Sequence, residues 1–311
     1  MLFSISITGP IFPLLFLGFL LKRVNIINDE FIRVASQLVF KVTLPALLFL
    51  SIVKSPLDTD IDFSFIAYML LGNFLFFILV TLLTKYWIPN KQDHGVIIQG
   101  SFRANAGIIG LAYAANVYGD AGITLAALYV AFNTVLYNIL AVIILTPSIG
   151  SVNRAALINV FKSIAKNPLI IAILVAALVF ILAIPIPTLM INAGQYFADM
   201  TLPMALLCTG GSLNLKKVNN DTVNTLFATA LKLIVAPIML TGASYFLGFR
   251  GLELGIAFFM TAAPTAVASY MMASAMGENV NLAANIIAMT TAGSLITCSL
   301  GISLLYSLHL I

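Results

Sequence analysis

Charged side chains are scarce in this sequence: they make up 8% of its 311 residues, against about 25% in ordinary soluble domains. So little charge cannot clothe a water-soluble fold of this size, and it leaves no basic soluble surface for nucleic acid. Histidine occurs only as His94 and His309, both at the ends of apolar runs. A metal-ligand cluster or a His-based catalytic triad therefore has no residues to draw on, and neither enzyme activity nor a resident cofactor is expected. The two cysteines, Cys208 and Cys298, lie inside apolar runs rather than exposed loops, so they read as apolar packing residues, not as a disulfide. Among the acids only Asp199 sits well inside such a run, so the paired mid-membrane carboxylates of a proton or sodium antiporter are missing.

What is present is hydrophobic. Apolar residues make up 61% of the chain and mean hydropathy is +1.08, the signature of an integral membrane protein. Runs of about 20 apolar residues, each enough to cross a hydrocarbon core of roughly 30 Å as a helix, occur near 8–21, 36–53, 63–84, 95–118, 121–146, 167–184, 191–213, 223–247, 252–276 and 280–308. The first is read as a span rather than a cleaved signal, because Lys22-Arg23 follow it and no basic residue precedes it. Polar clusters such as Asn90-Lys91-Gln92-Asp93 and Asn219-Asn220-Asp221 separate the spans.

Basic residues concentrate in cytoplasmic loops. Loops after odd-numbered spans hold Lys22, Arg23, Lys85, Lys91, Arg154, Lys162, Lys166, Lys216 and Lys217, whereas those after even-numbered spans hold Lys54 and Arg250, with Asp58, Asp60 and Asp62 beside Lys54. This pattern predicts a multi-pass protein of the plasma (inner) membrane with both termini extracytoplasmic. The net charge of +4 and pI near 9.0 follow from that topology.

One offset repeats along the chain. Thr43-Leu44-Pro45 maps onto Thr201-Leu202-Pro203 at 158 residues (201 − 43), and the same shift carries Gln37 to Gln195, Pro10 to Pro168 and Gly119-Asp120 to Gly277-Glu278. A duplicated half with an odd number of spans inserts upside down, which is the plan of many secondary transporters. Residues 1–150 and 151–311 are thus expected to be two inverted five-helix repeats, joined by the short segment from Pro147 to Lys166.

The fourth and ninth spans carry helix breakers at matching depth. One reads Arg103-Ala104-Asn105-Ala106-Gly107-Ile108-Ile109-Gly110 and the other Thr261-Ala262-Ala263-Pro264-Thr265-Ala266. Proline removes a backbone donor and glycine makes departure from helix cheap, and non-helical backbone at membrane depth is tolerated only against protein or a water-filled cavity. Such half-helix ends suit a transport site; the plainer reading is a pair of kinked spans that pack closely.

The Asn105 amide suits either a substrate carboxylate or the gap left by unwound backbone. Arg103 is either a site charge or a side chain snorkelling to the interface. Lys41 and Asp199 are equivalent at the common offset, and each continues a helical stripe, Arg33-Gln37-Lys41 and Asn192-Gln195-Asp199. A structural ion pair between spans two and seven is the expectation, with ion coupling through Asp199 as the alternative. Asn133, Thr134 and Asn138 in the fifth span, and Asn285, Thr290, Thr291 and Ser294 in the tenth, are candidates for the same cavity or for plain interhelical hydrogen bonds. Lys232 has no repeat-mate of opposite charge. With Lys41, Arg103 and Lys232 set against Asp199, the interior favours an anion.

Three stretches carry a family resemblance: Lys166-Asn167-Pro168-Leu169-Ile170-Ile171-Ala172, Asn105 through Gly119, and Ala263-Pro264-Thr265-Ala266-Val267. Across essentially its whole length the chain resembles the auxin efflux carrier family, which includes plant PIN proteins and bacterial dicarboxylate carriers, within the bile acid/auxin transporter superfamily. The resemblance implies ten helices, with spans 1, 2, 6 and 7 as a dimerising scaffold. Spans 3–5 and 8–10 would form a transport domain whose broken fourth and ninth helices cross, moving like an elevator. The chain departs from the pattern in lacking a proline in the fourth span, so glycines are expected to serve there. The function expected is secondary transport of a small organic anion such as a carboxylate or auxin-like acid, bound by Asn105, Arg103, Gly107, Pro264, Thr265, Asn133 and Asn285. H+ or Na+ is the candidate coupling ion. The alternatives are a sodium-coupled symporter of bile-acid type and a non-transporting receptor on the same scaffold.

Overall fold

The computed structural model describes residues 11–54, 63–145, 166–182, 184–212 and 222–311. Pro10, the acidic Asp58, Asp60 and Asp62, the basic Arg154, Lys162, Lys216 and Lys217, the Asn219-Asn220-Asp221 cluster and the connection after Pro147 lie outside them.

Among the described residues every element is helical. Helix α1, Ile11–Arg23, ends on Lys22 and Arg23, cations that suit the negative end of a helix dipole. Asn28 starts α2, Asp29–Leu38, its Oδ1 accepting from the Phe31 N–H at 2.8 Å. A π turn, Val39–Thr43, joins α2 to α3, Leu44–Val53. Pro45 lies just beyond it; the wider turn absorbs the donor that proline lacks. The same device recurs where α9, Thr222–Ala230, passes through a π turn, Leu231–Val235, into α10, Ala236–Phe246, with Pro237 at its start.

Between these lie α4, Phe63–Trp87; α5, His94–Phe102; and α6, Leu111–Leu145, which is entered through a π turn, Ala106–Gly110. The second half continues with α7, Pro168–Ile181, capped by the Asn167 side chain, and α8, Thr188–Ser212. After α10 come α11, Leu252–Ala262; α12, Ala268–Ala275; and α13, Val280–Ser307, capped by Asn279.

Five continuous helical stretches among the described residues are long and apolar enough to cross a membrane: Asp29–Val53, Phe63–Trp87, Ala106–Leu145, Thr222–Phe246 and Val280–Ser307. Pro168–Ile181 and Leu252–Ala262 are shorter apolar helices, and α8, Thr188–Ser212, is a continuous helix of 25 residues that is less apolar. Large apolar side chains such as Ile181, Leu189 and Phe246 are exposed on the outside, while Asn73, Thr201 and Thr265 are buried. That inside-out distribution is what a lipid solvent selects.

Helix α8 packs against both α1 and α3, and α3 also packs on α7. The α1–α8 crossing is close enough that a Cβ on Gly210 would run into the Leu15 carbonyl, and one on Gly18 into that of Leu207. On the other side α4 packs against α5, α9 against α13, and α11 against both α6 and α10.

Gly119 and Gly277, matched by the 158-residue offset, both adopt positive φ, 57° and 75°, a region that glycine enters without penalty. Gly119 divides α6 into a short segment and a long one; Gly277 lies in the turn between α12 and α13.

Candidate functional site

Both predicted breaks are present, and they meet. The chain leaves α5 at Arg103 (φ −81°, ψ 94°) and re-enters helix after Asn105 (φ −78°, ψ 55°), while the ninth span is interrupted between Ala262 and Ala268. Ala104 and Thr265 pair as an antiparallel bridge. The Asn105 N–H donates to Pro264 O at 2.7 Å, and the Ala266 N–H to Arg103 O at 2.9 Å. Two unwound segments thus satisfy each other's backbone, which is what makes broken helix affordable at membrane depth.

Glycine is not the residue that breaks the fourth span. The break lies at Arg103 to Asn105, all with negative φ, and the expected glycines fall in the π turn that follows. Gly110 serves packing there: a Cβ would come within 3.1 Å of the Met260 sulfur.

A cavity of about 920 Å³ opens beside the crossing, lined among others by Lys22, Asp29, Arg33, Lys41, Arg103 and Asn105. Lys22 pairs with Asp29, and Arg33 with Glu30 at 3.5 Å. Neither of these ion pairs, the two found among the described residues, includes Arg103 or Lys41. Arg103 does not snorkel. It is 8% exposed, donating to Asn138 Oδ1 at 2.9 Å and to Tyr137 O at 3.3 Å, with the Met272 sulfur at 3.3 Å. Its acceptors are all neutral, so the positive charge beside the cavity is not cancelled.

Asn105 lines the same cavity, and its buried Nδ2 has no hydrogen-bond partner. Just past it, the N–H groups of Ala106, Gly107 and Ile108 begin a helix; the first intrahelical bond, from Ile109 N to Asn105 O at 3.0 Å, leaves them without partners within it. All three residues line the cavity. A guanidinium, an amide N–H₂ and a helix N-terminus therefore converge, all of them donors.

Of the other predicted residues, Gly107, Asn133 and Thr134 line the cavity, and Asn133 Oδ1 is buried without a partner. Pro264, Thr265 and Asn285 do not line it. Pro264 contributes a carbonyl to Asn105, and Thr265 is spent on structure, its Oγ1 donating to Gly100 O at 2.6 Å and its N–H to Thr290 Oγ1 at 3.1 Å. Asn285 is buried behind, with an unpartnered Oδ1.

The expected Lys41–Asp199 pair is corrected. Lys41 faces the large cavity, whereas Asp199 lines a second, smaller one of about 380 Å³ with Asn116, Asp120 and Gln195. Asp199 accepts instead from Gln195 Nε2 at 2.7 Å, and Gln195 Oε1 from Lys54 Nζ at 2.5 Å. The two residues line different cavities, so they do not meet.

Three features escaped sequence reading. Lys22, in the last turn of α1, and Asp29, in the first turn of α2, belong to the cavity. Asn73, a lone amide in an apolar span, accepts from the Tyr137 hydroxyl at 2.9 Å and donates to Tyr129 OH at 3.1 Å, bracing the turn that holds Arg103. Asp93 is buried and accepts from the side-chain amides of Asn90, Asn224 and Asn279 at 2.8, 3.2 and 3.0 Å.

Comparison with known proteins places the chain among membrane transporters. A family model described as membrane transport protein matches residues 5–302. An uncharacterized transporter of Methanothermobacter thermautotrophicus is 22% identical over 289 residues, covering 92% of this chain and 93% of the relative. The uncharacterized transporter MJ1031 of Methanocaldococcus jannaschii is 25% identical over 294 residues, covering 92% and 94%. The uncharacterized transporter YfdV of Escherichia coli K12 is 24% identical over 304 residues, covering 94% and 95%. The chain is therefore a multi-pass membrane transporter and belongs to the membrane transport protein family, the auxin efflux carrier family that its sequence resembles.

Proposed function

We propose that this transporter carries a small organic anion, a carboxylate, by alternating access. The observation that carries the reading is the convergence of three donors on one cavity: the unneutralised Arg103 guanidinium, the unpartnered Asn105 Nδ2 and the helix start at Ala106. Helix N-termini attract anions through aligned N–H dipoles, and a guanidinium adds charge-assisted hydrogen bonding. A cavity of about 920 Å³ is within the usual size of small-molecule sites.

On this reading the ten spans are two inverted repeats. Helices α1 to α3 with α7 and α8 form the scaffold, through which the protein dimerises, and the remaining helices form a mobile transport domain. The larger cavity, which Lys22 and Asp29 rim, faces the cytoplasm, and the smaller one faces outward, as do both termini. An elevator-like shift of the crossover then exchanges the anion between them, uncoupled or driven by a coupled ion.

Thermal stabilisation of the purified protein by mono- and dicarboxylates tests the reading, since a ligand bound by the native state raises apparent stability. A shift with a carboxylate, lost in Asn105→Ala while that variant remains folded, is the expected outcome. Unchanged affinity in Asn105→Ala would remove Asn105 from the site.

A further inference from the structure

Lys232 is 1% exposed, in the π turn between α9 and α10, and does not line the anion cavity. Burying an ammonium is costly unless its surroundings compensate, and neither ion pair among the described residues includes it. Its partner is a carbonyl: Nζ donates to Thr261 O at 2.7 Å.

The break in the ninth span explains why that carbonyl is free. In an uninterrupted helix Thr261 O would accept from the Thr265 N–H, and Ala262 O from the Ala266 N–H. Here Thr265 N donates to Thr290 Oγ1 and Ala266 N to Arg103 O, while Pro264 has no N–H to give. Both orphaned carbonyls are taken by side chains from outside the span: Thr261 O by Lys232, and Ala262 O by Cys298 Sγ at 3.4 Å. The carbonyl end of a half-helix carries partial negative charge, and in broken-helix transporters such ends coordinate the driving cation.

We propose that Lys232 is a built-in cation of the crossover: its ammonium occupies the carbonyl end of α11 that a metal ion would otherwise take, so anion binding needs no sodium. Lys232 is a positioning residue. It holds Thr261, and through it the turn whose Ala266, Val267 and Ala268 line the cavity. The inference deepens the organic-anion reading and rests on it, but part of its test does not.

The experiment uses the full-length protein in sodium or choline chloride at matched ionic strength, with wild type, Lys232→Met and Lys232→Ala. Wild type is expected to show the same carboxylate-induced thermal shift in both salts. Lys232→Met, which keeps the aliphatic stem, is expected to stay monodisperse and to bind the carboxylate about tenfold more weakly or worse. Lys232→Ala, with no carboxylate present, is expected to be less stable and to be rescued by ethylammonium chloride beyond any effect of choline chloride. Sodium-dependent binding in wild type, wild-type affinity in Lys232→Met, or no ethylammonium-specific rescue would each overturn the proposal. If no carboxylate shifts the wild type, the anion reading falls, and the ethylammonium arm still decides the role of Lys232.

Discussion

Arg103 shows how a single side chain acquires a role from its acceptors. Its guanidinium fork spans Tyr137 O and Asn138 Oδ1, a geometry that a lysine ammonium cannot reproduce. Arg103→Lys is therefore expected to weaken carboxylate binding about tenfold, a loss of about 1.4 kcal/mol; equal affinity in an isothermal titration would deny the fork its role. Asp93 works the other way, as an anion that staples three segments through Asn90, Asn224 and Asn279. Asp93→Ala leaves those amides without their acceptor and should cost about 3 kcal/mol, measurable as a lower unfolding midpoint. Near it, burial first and the Asp93 charge second raise the Glu278 carboxyl above its ordinary range. A raised acid stabilises the fold while protonated, below its unfolded-state value of about 4.3, and that contribution is lost as pH rises through the folded-state value. Glu278→Gln should consequently match wild type in acid and exceed it in thermal stability toward neutral pH, and a gap of the opposite sign would refute the assignment.

At the scale of helices, the sequence announced the ninth-span break through Pro264 and the fourth only by its small residues. What it did not show is that each break is completed by the other: Ala104 and Thr265 are remote in sequence, and their bridge depends on two helices crossing. The crossing of α1 and α8 is likewise a matter of missing side chains, Gly18 against Leu207 and Gly210 against Leu15. Gly210→Leu would force backbone carbonyls apart, which costs more than ordinary overpacking of about 1–3 kcal/mol. Loss of monodisperse protein in detergent is the expected result, and wild-type yield and melting behaviour would contradict the close approach.

For the molecule as a whole, Lys41 and Asp199 line different cavities, which the proposed orientation puts on opposite sides of the membrane. In a background lacking Cys208 and Cys298, Asp199→Cys should react with an impermeant maleimide added outside intact cells, and Lys41→Cys only after cytoplasmic access is given. Reaction of both from outside would sink the proposed orientation. The membrane class and the sites of the breaks were legible in the sequence, because hydropathy and the backbone chemistry of proline and small residues act locally. Only the tertiary structure decided which polar groups share an environment. It set Arg103 on Asn138, parted Lys41 from Asp199, and put Lys232 on the carbonyl of Thr261. Each of those outcomes depends on how helices far apart in sequence cross, and in an apolar medium a buried polar group takes whichever partner the crossing brings within reach.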